Sequence, residues 1–514
     1  MKVAIAASSQ LAADAGGEIA RLGGNAVDAA IAAALVSANT EPGVCALAGG
    51  AYVTVWAPER TPETFDGQVR MPGACLPDSD PGQGIEAVEM GYGGGISTLV
   101  GGGTVGVPAT VAALDGASRR YGALPWPVLF EPVIDIVRRG FTLPEACRHY
   151  LGYSGTAIFA RSAEGHGALH QPDGRLHDPG TPIIVPGLAE SLERIARLGA
   201  GEFYRGELGA AIVAHVQAHD GRLTREDMAG CEALVRPALT VSLGDWQIAT
   251  TPPPAIGGVT LGAMLLAAGW PLPAGRTPEA LARLVGAQQL ALDFRRRRLD
   301  GRSDVTAQAA MLLALAQTQR GAGLNSPSTV HVSATDTTGL CCAITLSAGY
   351  GSGLIAPGTG LWLNNCLGEL ELHAGALATA PPGTPLPSNM APTAARSDRH
   401  RSALAIGSPG ADRITTAIMQ VLVHHLGAGI ELQEAIAHPR LHLEFRDQQW
   451  QVAAEPGLDC ASLGLPVRAF DALSMYFGGV GATRLDANNA LVAAADPRRA
   501  GGVRVAGAPA VQTG

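Results

Sequence analysis

The stretch of sequence that decides the predicted fold lies past the middle of the chain and reads Thr329-Val-His-Val-Ser-Ala-Thr335, Asp336-Thr-Thr-Gly339, Leu340-Cys-Cys-Ala-Ile-Thr-Leu-Ser347. Its first and last segments are rich in β-branched residues, and the segment between them is polar and ends in glycine. This pattern predicts two strands joined by a tight turn. We therefore expect a β-rich region to begin near residue 329.

Helical patterns dominate the residues before this hairpin. Apolar residues recur at helical spacing through 10–38, and the stretches 109–235 and 259–318 also favour helices. A strand, Ala51–Trp56, is predicted between the first two of these stretches. A helix-rich front and a hairpin-rich back predict a layered α/β protein with a boundary near residue 328.

Composition limits the class of protein and excludes several kinds of enzyme. The chain has 514 residues, of which 47% are hydrophobic and 16% are charged, so it can bury a large core. Lys2 is its only lysine. Without an interior lysine the chain can form neither a P-loop nor a pyridoxal-phosphate Schiff base, and it has no lysine to act as a general base.

Charge and the length of the apolar segments bear on partners and location. The formal net charge of −9 argues against binding to nucleic acid or to an anionic membrane surface. Apolar stretches such as 29–38 are too short to span a bilayer, and Val3–Ala7 is too short for the apolar core of a secretion signal. We expect a cytoplasmic protein that acts on a small-molecule substrate and binds neither nucleic acid nor membrane.

Motifs for metals and nucleotides are weak. The eight cysteines show no CxxC spacing, which favours reduced thiols over disulfides or a zinc site. Gly101-x-Gly103-x-x-Gly106 matches the dinucleotide fingerprint, but no acidic residue follows at the required distance. The GxSxG motif of a nucleophile elbow does not occur. We therefore expect no metal and no cofactor.

The start of the hairpin carries the strongest chemical signal. A polar, turn-prone segment, Gly321–Ser328, precedes Thr329, which opens a strand. A hydroxyl is a poor nucleophile unless a base removes its proton, and one such base is the α-amine of the nucleophile itself. A free α-amine has a pKa of about 7.7 to 8.0, which suits this role. Thr329 has a free α-amine only if the peptide bond between Ser328 and Thr329 has been cut.

Short motifs along nearly the whole chain resemble those of the γ-glutamyltranspeptidases, which are N-terminal-nucleophile (Ntn) hydrolases. Each motif is modest alone, but their shared order is specific. They are Gly24-Asn-Ala-Val-Asp-Ala-Ala30, Gly106-Val-Pro-Ala-Thr-Val111, Phe203-Tyr-Arg-Gly206, Leu223-Thr-Arg-Glu-Asp227, Thr329-Val-His331, Gly351-Ser-Gly353, Pro357-Gly-Thr-Gly-Leu-Trp-Leu-Asn-Asn365, Pro387-Ser-Asn-Met-Ala-Pro-Thr393, Gly407-Ser-Pro-Gly410 and Asp496-Pro-Arg498.

The resemblance implies the four-layer αββα sandwich of Ntn hydrolases, formed by a large and a small chain from one precursor. Residues 1–328 would be the large subunit region and 329–514 the small one, together one globular unit, and a homodimer of such units stays open. The precursor would cut itself between Ser328 and Thr329. The mature Thr329 would then attack a substrate carbonyl, and water or an acceptor amine would resolve the acyl-enzyme.

The resemblance also implies an oxyanion hole and a second hydroxyl. The Ser-Pro-Gly-Gly loop of the family corresponds to Ser408-Pro-Gly410-Ala411, in which the backbone N–H groups of Gly410 and Ala411 would stabilise the oxyanion. Alanine keeps its N–H, so the loop works if its backbone angle tolerates a Cβ. Thr345 and Ser347 are both candidates for the hydroxyl that the family holds near the amine of the nucleophile.

The residues that would recognise a glutamyl group depart from the family pattern. The carboxylate-binding arginine of the family corresponds to Gln68, and Arg70 is the alternative cation two residues on. A charge-assisted hydrogen bond is worth about 1.5 to 3 kcal/mol, so loss of this clamp should weaken glutamyl selectivity at least about tenfold. The other predicted substrate-binding residues are Asn365, the second residue of the Asn-Asn pair, and Cys366 and Glu369, which follow it. Ser388 and Asn389, which correspond to the Ser-Ser pair of the family, complete the set.

Three hypotheses for function follow. The leading one is a self-processed Ntn hydrolase or acyltransferase whose substrate is not a standard γ-glutamyl amide. The second is a carbon–carbon bond hydrolase of the same family in a bacterial antibiotic pathway to proline-derived building blocks. The third is an unprocessed, non-catalytic homologue that binds a ligand or a partner.

Overall fold

The structure, a computed structural model, describes residues 1–77, 83–91, 95–271, 276–300, 304–317, 329–373, 380–446 and 448–508. Its strands are β1 (Lys2–Ala7), β2 (Gly50–Trp56), β3 (Glu63–Gly67), β4 (Glu86–Met90), β5 (Ile96–Val100), β6 (Leu234–Pro237), β7 (Leu239–Leu243), β8 (Trp246–Thr250), β9 (Val330–Asp336), β10 (Cys341–Ser347), β11 (Thr393–Ser397), β12 (Ser402–Gly407), β13 (Leu441–Arg446), β14 (Gln449–Ala454), β15 (Val467–Ala469), β16 (Gly481–Leu485), β17 (Leu491–Ala495) and β18 (Gly502–Gly507).

The helices follow the predicted distribution, with most of them before residue 319. They are α1 (Gln10–Arg21), α2 (Ala26–Thr40), α3 (Thr110–Tyr121), α4 (Trp126–Arg139), α5 (Glu145–Ser154), α6 (Ala163–Leu169), α7 (Leu188–Leu198), α8 (Ala200–Arg205), α9 (Glu207–Ala218), α10 (Arg225–Ala229), α11 (Ile256–Ala268), α12 (Pro278–Arg298), α13 (Val305–Ala316), α14 (Leu370–His373), α15 (Arg413–Leu422) and α16 (Leu432–Ala437).

Two large antiparallel sheets form the centre of the protein. The first has seven strands in the order β18-β1-β9-β10-β2-β3-β6, and the second has six in the order β17-β16-β12-β11-β8-β7. Helices α1, α2 and α3 pack on the outer face of the first sheet, and α11 and α15 pack on that of the second. The inner faces meet where β9 contacts β12 and β16. The predicted four-layer αββα sandwich is confirmed.

Both sheets combine strands from the two sides of residue 328. In the first sheet β9 and β10 lie between β1 and β2, and in the second β8 pairs with β11. The two main apolar cores likewise draw on residues from before and after this position. Residues from both sides of position 328 therefore pack into the same sheets and the same cores.

Strand β9 shows why the hairpin sequence fits its central position. Its apolar residues Val330, Val332 and Ala334 belong to the core that the first sheet forms with its helices. His331 and Ser333 alternate with them and face the second sheet, where Ser333 Oγ donates a hydrogen bond of 3.1 Å to the carbonyl oxygen of Gly481. The strand is buried along its whole length because both of its faces are covered.

The motif at residues 24–30 fixes a helix against this hairpin. The Asn25 side chain accepts hydrogen bonds from the backbone N–H groups of Val27 and Asp28, and Asp28 accepts one from the N–H of Asn25, which is a capping box. Asp336, at the end of β9, accepts a further bond of 3.2 Å from the N–H of Ala26. The start of α2 is thereby tied to the strand that Thr329 precedes.

The inner layer between the sheets leaves no room for a side chain at Gly407. A Cβ atom there would lie 2.3 Å from Cε1 of His331, whose ring is buried between the sheets. The imidazole of His331 therefore requires glycine at the end of β12.

We expect Gly407→Ala to lower the free energy of unfolding by about 1–3 kcal/mol, because the imidazole must shift within a close-packed layer. The matched control is Gly152→Ala in α5, where an added Cβ has nothing within 4 Å. That change should stabilise the helix by about 0.5–1 kcal/mol. Thermal unfolding measures both, and a Gly407→Ala protein as stable as the wild type would contradict this packing.

Candidate active site

The predicted nucleophile, Thr329, lies directly before the first residue of β9 and is only 3% exposed. Because side chains alternate along a strand, its side chain shares the inner face with His331. Ser328, on the other side of the predicted cleavage site, lies outside the described residues.

His331 is a structural residue rather than a base. Its Nδ1 atom lies 2.8 Å from Thr345 Oγ1, and its Nε2 atom lies 2.7 Å from Ser333 Oγ. Burial lowers the pKa of His331 to about 3, so the ring is neutral at physiological pH. One ring nitrogen must donate and the other accept, and both are engaged by hydroxyls.

The two candidates for the second hydroxyl lie on the same face of β10. In the ladder between β9 and β10, Thr345 is opposite His331 and Leu346 is opposite Val330. Continuing this register by one residue places Ser347 opposite Thr329. Cross-strand neighbours have Cβ atoms about 4.5–5.5 Å apart, so Ser347 is the nearer of the two, while Thr345 holds the imidazole.

The predicted oxyanion loop lies beside Thr329. Pro409 and Thr329 line the same small cavity, which has a volume of about 20 Å³. Ser408 Oγ accepts a bond of 3.1 Å from the N–H of Gly479, which holds the loop to the segment before β16. Among the described residues, neither the Gly410 nor the Ala411 amide finds an acceptor.

The backbone of this loop is left-handed at two consecutive residues. Gly410 has φ +119° and Ala411 has φ +69°. Alanine adopts the second angle at a cost of about 1–2 kcal/mol, so the Cβ that departs from the family pattern is tolerated under strain. A Cβ on Gly410 would instead lie 2.8 Å from Cα of Gly478, which is backbone and cannot move aside.

Gln68 contacts the residue before Ser388 on the far side of the sheet from β1. Gln68 is 5% exposed, and its Nε2 atom donates a hydrogen bond of 3.3 Å to the carbonyl oxygen of Pro387. Its Oε1 atom lies over Gly50, where a Cβ would approach it to 2.7 Å. Gly50 is opposite Ser347. Gln68 and the 387–388 segment therefore lie two strands across the sheet from the predicted second hydroxyl.

Asn389 follows Ser388 in the chain and is also buried. The residue is 5% exposed, and both its Oδ1 and Nδ2 atoms are buried without a hydrogen-bond partner among the described residues. A buried amide that is left unpaired costs about 1–3 kcal/mol, which a bound polar group would recover. Ser388 differs in that its Oγ accepts a hydrogen bond of 3.2 Å from the N–H of Met390.

Arg70 has a partner away from these residues. Its Nη2 atom donates a hydrogen bond to the carbonyl oxygen of Glu232. Arg236, which was not predicted from the sequence, forms an ion pair of 3.0 Å with Asp66 on β3, the strand beside β2. No local motif marks this pair, since Asp66 and Arg236 meet only through the pairing of β3 with β6.

Asn365 and the residues after it have different surroundings. Asn365 supports loops, because its Oδ1 accepts a bond of 2.6 Å from the N–H of Tyr350 and its Nδ2 donates one of 2.8 Å to the carbonyl of Leu99. Cys366 packs against Val69, next to Gln68. Burial, and then the charge of the neighbouring Glu369, raise the pKa of the Cys366 thiol well above its usual range, so it is neutral. A role for Asn365 in substrate binding would therefore be indirect.

The described residues contain no group of three His, Cys, Asp or Glu side chains that could hold a metal ion. The same part of the chain has no helix that is both long and apolar enough to cross a membrane.

Comparison with known proteins identifies the family. The profile of the family described as gamma-glutamyltranspeptidase matches residues 12–506. The chain belongs to the gamma-glutamyltranspeptidase family. The resemblance inferred from the motifs is thus confirmed, and the protein is a hydrolase or transferase of this family.

Relatives within the gamma-glutamyltranspeptidase family include both glutathione hydrolases and acylases. The glutathione hydrolase proenzyme of Pseudomonas aeruginosa is 30% identical, with 97% of this chain and 93% of that protein covered. The acylase ACY 1 proenzyme of Pseudomonas sp. strain V22 is 28% identical, with 84% and 81% covered. The cephalosporin acylase of Bacillus halodurans has the same fold, with a TM-score of 0.81 at 23% identity over 98% of this chain and 95% of that one.

Gly410 and Ala411 of the predicted oxyanion loop should respond differently to substitution. We expect Gly410→Ala to slow turnover of an acyl anilide by about 10²–10³-fold, the usual cost of losing one oxyanion donor, because the loop must move away from Gly478. Ala411→Gly is the control, since it removes strain and keeps the N–H, and its activity should stay within a few-fold of wild type. Equal activity of the two variants would contradict this placement of the loop.

Proposed function

We propose that this chain is a self-processing Ntn hydrolase that cuts itself before Thr329 and transfers an acyl group through a Thr329 ester, with an acyl donor other than a standard γ-glutamyl amide. The assignment of Thr329 as the nucleophile rests on its position. Thr329 is buried at the start of a central strand and lies beside the strained loop 408–411. The family membership supports the same assignment.

The proposed reaction has two stages. First, Thr329 Oγ attacks the carbonyl carbon of Ser328, the acyl group moves from nitrogen to oxygen, and water hydrolyses the ester to release the chains 1–328 and 329–514. The new α-amine of Thr329 then takes the hydroxyl proton when Oγ attacks a substrate carbonyl. The N–H groups of Gly410 and Ala411 stabilise the oxyanion, and water or an amine resolves the ester.

The acyl-donor preference rests on Gln68. A neutral amide stands where a carboxylate-binding arginine is expected, and it is held by the carbonyl of Pro387. Asn389, two residues beyond Pro387, is a second neutral amide, and it has no partner among the described residues. Amides donate and accept hydrogen bonds but supply no net charge, so this group favours a neutral polar donor over one with a free α-carboxylate.

The nucleophile assignment predicts the chain pattern on a denaturing gel. Wild type should give two chains, and Thr329→Ala should give one chain of 52.4 kDa without activity, because the attacking hydroxyl is gone. Thr240→Ala, at an exposed position of edge strand β7, is the control and should be cut normally. Two chains of the expected sizes from Thr329→Ala would place the nucleophile elsewhere.

The donor preference predicts slow turnover of a γ-glutamyl anilide by wild type and a gain in Gln68→Arg. A restored charge-assisted bond to the α-carboxylate should raise kcat/KM for this donor at least about tenfold relative to an acyl anilide without the carboxylate. Gln68→Glu, which places a negative charge at this position, is the control and should lower kcat/KM for the γ-glutamyl donor. A wild-type enzyme that prefers the γ-glutamyl donor as strongly as Gln68→Arg would contradict the proposal.

A further inference from the structure

The proposed self-cleavage needs a proton acceptor that the mature enzyme does not need. Before the cut, the nitrogen of Thr329 belongs to a peptide bond and has no basic lone pair. The chain has no lysine near the site, since Lys2 is its only one. His331 is a poor acceptor because burial lowers its pKa to about 3 and hydroxyls engage both of its nitrogens.

The buried carboxyl group of Glu41 shares a cavity with Thr329. Glu41, just after α2, is 2% exposed and lines the same cavity of about 20 Å³ as Thr329, Ser8 and Arg499. A cavity of this size holds about one water molecule. Glu41 Oε1 accepts a hydrogen bond from Ser8 Oγ, and Ser8 Oγ lies 2.8 Å from Ser37 Oγ.

The shared cavity places Ser8 beside both Glu41 and the nucleophile. Ser8 directly follows β1, and it lines the cavity together with Glu41 and Thr329. A water molecule in a cavity of this size has both the Ser8 hydroxyl and Thr329 as neighbours and can bridge them with two hydrogen bonds.

We propose that Glu41 is the proton-accepting group of the self-cleavage step and acts on Thr329 through the Ser8 hydroxyl and one water molecule. This role rests on the proposed function. As Oγ of Thr329 bonds to the carbonyl carbon of Ser328, its proton passes along the relay to the Glu41 carboxylate. When the C–N bond breaks, the same proton returns to the Thr329 nitrogen, which leaves an ester and a free amine.

The surroundings of Glu41 suit an acceptor that works near neutral pH. Burial raises the pKa of Glu41 to about 7, while its hydrogen bonds to Ser8 and Ser37 and the charge of Arg499 oppose the rise. Asp496 also lines the cavity, but its charge is balanced by ion pairs of 2.6 Å to Arg440 and 3.1 Å to Arg498.

The remaining titratable groups around Glu41 stay uncharged. Burial raises the pKa of the Cys45 and Cys147 thiols well above their usual range, and burial keeps His331 neutral. Since the folded-state pKa of Glu41 lies above its unfolded value, the carboxyl is protonated at low pH and becomes able to accept a proton as the pH rises through about 7.

The test follows self-cleavage of freshly made precursor on gels from pH 5.5 to 8.5. Wild type should speed up with a midpoint near pH 7, and Glu41→Gln should cut at least about 100-fold more slowly without this rise, because general-base catalysis is typically worth 10²–10⁴-fold. Once cut during prolonged incubation, Glu41→Gln should turn over an acyl anilide within a few-fold of wild type, because the α-amine of Thr329 is then the base. A merely structural role would impair both stages.

Two further variants make the outcome decisive. Glu444→Gln removes another buried carboxylate, in β13 and outside the cavity, and should process normally. Glu41→Asp keeps the acid and should restore part of the pH-dependent rise if the glutamine variant fails to fold. An unchanged pH profile in Glu41→Gln would overturn the role of Glu41. The proposed function would survive that result as long as Thr329→Ala loses both self-cleavage and turnover.

Discussion

The pairing of β9 with β10 is the constraint on which the site depends. It sets Thr345 opposite His331 and Leu346 opposite Val330, so that Ser347, the next residue of β10, lies at the end of the strand that Thr329 precedes. The valines of β9 face the helices. A shift of one residue would reverse both faces and bury the hydroxyls among apolar side chains. The bonds from His331 to Thr345 and Ser333, and the contact of its ring with Gly407, hold this register in place.

Much of the fold could be predicted because its signals are local. Runs of β-branched residues and a polar turn located the hairpin, and apolar residues at helical spacing located α1 and α2. The αββα arrangement was predicted from the family resemblance of the ordered motifs rather than from hydrophobic periodicity. The mixing of strands from both sides of residue 328 could not be read locally, because β1 pairs with β18 across the whole length of the chain.

The candidate site was predictable where a motif carries the chemistry and not where burial decides the role. The motifs located Thr329 and the loop at Gly410, and φ +69° at Ala411 shows how the departure from glycine is accommodated. They could not show that the Asn365 amide is occupied by loop contacts or that the Glu41 carboxyl lies in the cavity of Thr329. Such roles arise only when distant segments pack together.

The central claim is that Thr329 is both the residue exposed by self-cleavage and the residue that carries the acyl group. Intact-mass analysis of the wild-type protein, before and after incubation with a panel of acyl donors, tests it most directly. The account predicts two chains that separate between residues 328 and 329, with the acyl adduct on Thr329 of the 329–514 chain. A single unprocessed chain of 52.4 kDa, or an adduct on any other residue, would contradict it.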